Sequence, residues 1–130
     1  MNYFDKVKDF LMELEYTITM EDRENEVFVV ASPEDGISNL MIGIADPILI
    51  IEQHMFDMNG NSGEIAKQLL MKNREIVSGA FVLDAGGKKV LFRDTLLVET
   101  LDYEELEGSL NSLSLLLSEF TDEIIGFSKN

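Results

Sequence analysis

The last quarter of the chain constrains the fold most. From Tyr103 onward, Leu106, Leu110, Leu113, Leu117, Phe120, Ile124 and Phe127 recur at alternating spacings of three and four. Only a helical period places such a series on one side. Leu115 and Leu116 widen the stripe, and Gly126 marks a stop. Asp102 stands where an N-cap belongs, and Glu104, Glu105 and Glu107 load the positive end of the dipole. A helix of some two dozen residues reaches about 36 Å, enough to lie across a whole sheet.

The preceding residues supply that sheet. Residues 3–15 read as an amphipathic helix, with Tyr3, Phe4, Val7, Phe10, Leu11 and Leu14 on one face, Asn2 as cap and Asp5 in the first turn. Tyr16 to Glu21 alternates weakly and gives way to a polar turn over Asp22 to Asn25. Val27 to Ala31 is a β-branched strand that stops at Ser32-Pro33-Glu34-Asp35-Gly36. Leu40 to Ala45 and Ile48 to Phe56 are further strands, and Pro47 between them marks a bend, a bulge or a strand start. After a polar loop over 57–63, Asn61 is placed to cap a second helix with Glu64 near its start. That helix turns Ile65, Ala66, Leu69 and Leu70 inward and runs to about Glu75. Ser78 to Leu83 and Val90 to Leu97 form a hairpin whose Gly86-Gly87 pair supplies positive φ at low cost. The expected fold class is α+β, an antiparallel sheet with helices packed on it in the order α-β-β-β-β-α-β-β-α. Residues 1–130 are expected to form one domain.

With 25 acidic and 10 basic residues the net charge is −15, and the sole adjacent bases are Lys88 and Lys89. A chain so acidic has no clustered basic face for nucleic acid, and anionic membrane surfaces repel it. Apolar residues make up 45%, which suits a globular chain rather than a disordered one. No apolar run approaches the roughly 18 residues that span a bilayer, and the N-terminus lacks the order of a signal peptide, so a cytoplasmic location is expected. There is no cysteine, which closes disulfide and thiolate chemistry. The acidity is used either for solubility alone, or to keep the chain soluble beside an exposed apolar patch, or to attract a basic partner.

Motifs for chemistry are absent. The lone His54 has no cysteine or second histidine to make a zinc site, and Glu52, two residues away on the same strand face, is the one partner for general-base work. A hydrogen-bonded strand histidine is the simpler reading. Asp57 to Gly63 resembles the start of a calcium loop, but Ser62 stands where glycine is required and Gln68 where a bidentate glutamate is required. No G-x-S-x-G elbow accompanies the serines, and no phosphate-loop pattern accompanies Gly86-Gly87. In so acidic a chain no one carboxylate pair is informative. Catalytic, metal and cofactor sites are therefore expected to be none.

One stretch resembles a known family. Leu69-Leu70-Met71-Lys72-Asn73 precedes Gly79-Ala80-Phe81-Val82-Leu83-Asp84, the Gly86-Gly87 turn and Val90-Leu91-Phe92-Arg93. Leu96-Leu97 and the helix entry Leu101-Asp102-Tyr103-Glu104-Glu105-Leu106 follow. Over roughly residues 65–117 this is similar to the type III secretion chaperone-like (Tir chaperone-like) proteins, closest to the bacterial YbjN-like branch, of which some are labelled sensory regulators. The motif is made of packing and turn residues. The resemblance implies a homodimer of small acidic subunits, each with helices on one twisted antiparallel sheet. True secretion chaperones of this kind hold an extended segment of a partner against apolar grooves.

The expected function is accordingly a non-enzymatic, chaperone-like protein-binding one, with an unidentified protein client. The alternative is a small-molecule-binding sensory or regulatory protein. Seven methionines suit a surface that accepts varied sequences. From the apolar helix faces, Phe4, Val7 and Leu11 are the expected client contacts, and Ile65, Leu69 and Leu70 the expected dimer interface.

Overall fold

The computed structural model describes residues 2–60 and 62–129. Among them, helix α1 (Tyr3–Glu13) is followed by strands β1 (Thr17–Asp22), β2 (Val27–Ser32), β3 (Ile37–Ala45) and β4 (Ile48–Asp57). Helix α2 (Ser62–Lys72), strands β5 (Ala80–Leu83) and β6 (Lys89–Leu97), and helix α3 (Tyr103–Ser128) complete the chain. This is the expected order. The strands form one antiparallel sheet in the order β1-β2-β3-β4-β6-β5. The hairpin β5–β6 thus turns back so that β6 joins β4, and β1 and β5 are the edges.

Several boundaries differ from the sequence expectation, with α1 ending at Glu13 and α3 running through Gly126 to Ser128, and three have a plain local reason. Strand β3 begins at Ile37 instead of Leu40, because the pairing with β2 shifts between Val30 and Ser32 and Asn39 takes a φ of 52° at that irregularity. Asparagine tolerates the left-handed region, so the polar Ser38-Asn39 pair is absorbed as a bulge rather than a turn. Helix α2 stops at Lys72, and residues Asn73–Glu75 tighten into a 3-10 turn. Strand β5 starts at Ala80 because Gly79 sits at a φ of 87°. The two helix caps that can be judged are as the sequence implies. Asn2 accepts a hydrogen bond from the Asp5 amide at 3.2 Å, and Asp102 accepts one from the Glu105 amide at 2.8 Å. Asn61, the expected cap of α2, lies outside the described residues.

The register sorts every strand residue to one of two faces. Directly paired residues share a face, so Phe28, Ile42, Ile51 and Asp94 form one row on one side. Val30 with Leu40, Ile44 with Leu49, and Phe92 with Phe81 lie on the same side. All of these apolar residues are buried. The helices cover this side. Phe4 of α1 stacks on Phe28 with ring centroids 4.3 Å apart, and Phe127 of α3 lies 6.0 Å from Phe56. From α2, Ile65 and Leu69 join the same core. Leu106, Leu110, Leu113, Leu116, Ile124 and Phe127 of α3 are buried, while Leu117 and Phe120 are half-buried and Leu115 is exposed. Burying one such leucine stabilises the fold by roughly 1.5–3 kcal/mol, so α3 supplies a large share of the core energy.

A polar clasp crosses this apolar layer. Ser109, buried in the second turn of α3, donates to the Asp94 carboxylate at 2.6 Å, and Ser78 donates to the same oxygen. Ser112 donates to the Ser78 carbonyl at 2.8 Å and accepts from its amide at 3.2 Å. An inward carboxylate is costly unless hydrogen-bonded, and these hydroxyls satisfy it while fixing α3 over β6.

Candidate partner-binding surfaces

The opposite side of the sheet carries no helix among the described residues. The same register places Val27 and Gly43 with Ile50, and Val29 with Met41, on this side. Ile48 pairs with Leu97 and His54 with Leu91, and Met20 of β1 pairs with Val29. The result is an open, largely apolar surface. Leu97 is 58% exposed and Met20 43%, and the valines and isoleucines are half-buried. Near its centre lies Gly43, on a central strand. A β-carbon there would meet Met41 Sδ at 3.3 Å and Val27 Cγ2 at 3.9 Å. The Met41 side chain lies over the glycine, which is buried, so the missing β-carbon lets the apolar side chains of this face pack flat against the strand. Charged side chains on this side include Glu52 and Arg93, 3.4 Å apart.

A second apolar surface lies along α2. Leu70 is 69% exposed and Met71 62%, and Val77 beyond the helix is 88% exposed. A groove of about 220 Å³ runs between α2 and β5, lined by Met58, Ala66, Leu69, Leu70, Phe81, Val82 and Leu83. Residues 62–76 hold three cations, Lys67, Lys72 and Arg74, against Glu64 and Glu75, in a chain whose net charge is −15. Of these cations Lys72 is engaged within the chain, paired with Glu123 and 4.7 Å from the Phe120 ring centroid.

The residues expected from sequence fall differently. Phe4, Val7 and Leu11, expected to meet a client, are 0–1% exposed in the core. The physical reason is that α1 has one apolar stripe, and Phe28 and its neighbours on the sheet take it. Of the expected dimer residues, Ile65 and Leu69 are buried within the chain, whereas Leu70 stands on the surface. Adjacent helix positions point about 100° apart, which separates Leu69 from Leu70. The pair weighed for acid–base chemistry is split. His54 is exposed and its Nε2 lies 2.8 Å from Asp57, while Glu52 faces Arg93. Among the described residues no group of histidine and carboxylate side chains is arranged to hold a metal ion, and no helix is long and apolar enough to cross a membrane.

Sequence reasoning missed the open sheet face, although its signal was present. Val27-Phe28-Val29-Val30 and Ile48-Leu49-Ile50-Ile51 are apolar on both sides, where a strand covered on one face alone would alternate.

Known structures share this architecture. YbjN of E. coli superimposes with a TM-score of 0.71 at 16% identity, over 92% of each chain. The Yersinia pestis type III secretion chaperone SycH, solved in complex with a stable fragment of YscM2, matches with a TM-score of 0.62 at 21% identity, over 97% of this chain and 99% of that one. The structure of the HopA1–SchA chaperone–effector complex matches with a TM-score of 0.63 at 13% identity, over 99% and 96%. At such identities these likenesses establish the fold. No curated protein matches the sequence. The model of the CesT_Tir_1 family matches residues 1–130 from end to end, and the chain belongs to that family.

Proposed function

We propose that this protein is a non-enzymatic, chaperone-like subunit that holds a segment of a partner polypeptide on its open sheet face. The observation that carries this reading is the apolar side of the sheet that no helix covers among the described residues, with Val27, Val29, Met41 and Ile50 at its centre. Contiguous apolar surface of this kind marks an interaction site in a stable soluble protein. SycH and SchA, of the same fold, are described in complexes with protein partners, which is in keeping with a polypeptide ligand.

The subunit is further proposed to be a homodimer formed along α2. Leu70 and Met71 supply the exposed ridge, and Ile65 and Leu69 support it from within. Here the local charge is not negative, so two copies of a strongly acidic chain meet with least repulsion.

Purified protein tests both parts. Light scattering should give twice the chain mass, and Leu70→Glu with Met71→Glu should halve it. A reduced, unfolded model polypeptide should be kept from aggregating by the unmodified chain and not by Ile50→Asp. Protection that survives Ile50→Asp would sink the assignment to the open face.

The second reading, a small-molecule sensor, draws on the groove between α2 and β5, whose lining is almost entirely apolar. It would take a compact apolar ligand without titratable groups, and loss of that ligand on Leu70→Glu would favour it.

A further inference from the structure

Resting on the open-face reading, we propose that the segment held there is cationic and amphipathic. Its apolar side chains lie over Val27, Gly43 and Ile50, and its lysines or arginines lie at the end of the sheet where β1 turns into β2. The register brings two chain reversals and the end of β6 together at that end. Asp22 and Val27 close the β1–β2 hairpin, Ala45 and Ile48 close β3–β4, and Ile48 pairs with Leu97 where β6 ends. Direct bonds tie them, from the Ile44 amide to the Glu26 carbonyl and from the Val98 amide to the Pro47 carbonyl, each 3.0 Å. Asp22, Glu24, Glu26, Asp46 and Glu99 therefore gather at this end of the sheet, with Asp46 and Glu99 acting on Tyr3 of α1.

The cations of this end are turned to other partners. Arg23 is 2.8 Å from Asp5 and lies 4.7 Å over the Phe4 ring, and Lys6 donates to the carbonyls of Val98 and Glu99 at 3.3 Å. Asp22 stays ionised, because bonds from the Asn25 side chain and amide hold its carboxyl below the usual range. A carboxylate-rich rim beside apolar surface attracts positive charge and speeds its encounter, and it rejects acidic segments. A second copy of this chain would bring a net charge of −15 to the same face.

The test uses two synthetic amphipathic peptides of about 18 residues, long enough for five helical turns. They share a leucine–alanine face, with lysine on the polar face of one and glutamate on the other. Amide resonances of the full chain report the site. The lysine peptide should shift Val27, Gly43 and Ile50 and bind about tenfold or more tightly than the glutamate peptide at low salt, the gap closing toward 0.5 M salt, roughly, as screening shortens the reach of the rim. Neutralising the rim (Asp22→Asn, Glu24→Gln, Glu26→Gln, Asp46→Asn, Glu99→Gln) should bring the lysine peptide down to the affinity of the other. If that variant fails to fold, the salt titration on the unmodified chain decides the same point. Equal binding of both peptides on this face would overturn the cationic inference and leave the open-face reading standing. Shifts confined to α2, or none, would overturn both. A chain whose mass halves on Ile50→Asp has a second copy on this face, which also overturns the proposal.

Discussion

Gly79 lies so close to the ring of Phe92 that a β-carbon on it would stand 2.4 Å from Phe92 Cζ. The same residue has a φ of 87°, which L side chains rarely adopt. Both constraints come from one feature, the entry of β5 alongside β6, where the ring packs beneath the backbone. Gly79→Ala is expected to destabilise the fold by about 2–3 kcal/mol, from overpacking and a strained φ together. In a Phe92→Leu background the same substitution should cost less, because the ring edge is gone and only the φ strain and the 3.0 Å approach to the Arg93 carbonyl remain. Denaturant midpoints of the four proteins measure the coupling, and strict additivity would show that the ring contact is not the cause.

The clasp on Asp94 makes a second prediction. Asp94→Ala leaves the buried Ser109 hydroxyl without its acceptor, which costs about 1–3 kcal/mol. Asp94→Asn keeps an acceptor oxygen and should recover most of that loss. Ser109→Ala should cost less than Asp94→Ala, since Ser78 still donates to the carboxylate. Thermal unfolding of the three variants gives the order, and a neutral Asp94→Ala would mean that water replaces the clasp at no cost.

Leu69 and Leu70 are neighbours in sequence with opposite surroundings, 5% and 69% exposed. Leu69→Glu buries a carboxylate against Phe81 and its neighbours without a partner and is expected to cost several kcal/mol or prevent folding. Leu70→Glu should leave monomer stability within about 0.5 kcal/mol. Circular dichroism at low protein concentration separates the two. Equal destabilisation by both would mean that Leu70 is covered in the folded state, by a second subunit or by a rearranged α2.

How far the sequence could be read follows from which of its signals were local. The α3 stripe, the caps Asn2 and Asp102 and the glycine hairpin at Gly86-Gly87 are short-range patterns, and the structure agrees with each, save that Leu115, expected to widen the stripe, is exposed. The pairing of β4 with β6 is long-range, and no local pattern encodes it. That pairing decides which face of every strand is covered. Without it, the apolar stripe of α1 looks as available to a partner as the outer faces of β2 and β4, although Phe28 has already claimed it. Asp94 was equally hidden, since an acidic residue in a strand reads as solvent-facing until Ser78 and Ser109 are seen around it. Leu69 and Leu70 could be placed on one helix from their spacing, but the side of α2 that faces β5 is again a matter of tertiary contact.

Tyr16, between α1 and β1, gives the pH dependence. Its hydroxyl is pushed from an ordinary value of 10.0 up to about 12, by burial first and then by the negative charge of Asp35. Both causes favour the neutral phenol in the folded chain. In the unfolded chain the group titrates near 10, so its contribution is fully present below that pH and is lost as pH rises from about 10 to 12. Tyr3 and Tyr103 are raised in the same direction, chiefly by burial, with carboxylates such as Glu99 and Glu107 adding to it. Stability should therefore be level across neutral pH and fall steeply above about 10. Tyr16→Phe keeps the ring and removes the titration, so it should lose less stability between about pH 9 and 11 than the unmodified chain, with Tyr3 and Tyr103 left to account for the remainder. Denaturant unfolding at those two pH values measures the difference. Identical losses in both proteins would place the Tyr16 hydroxyl in water, outside the influence of Asp35.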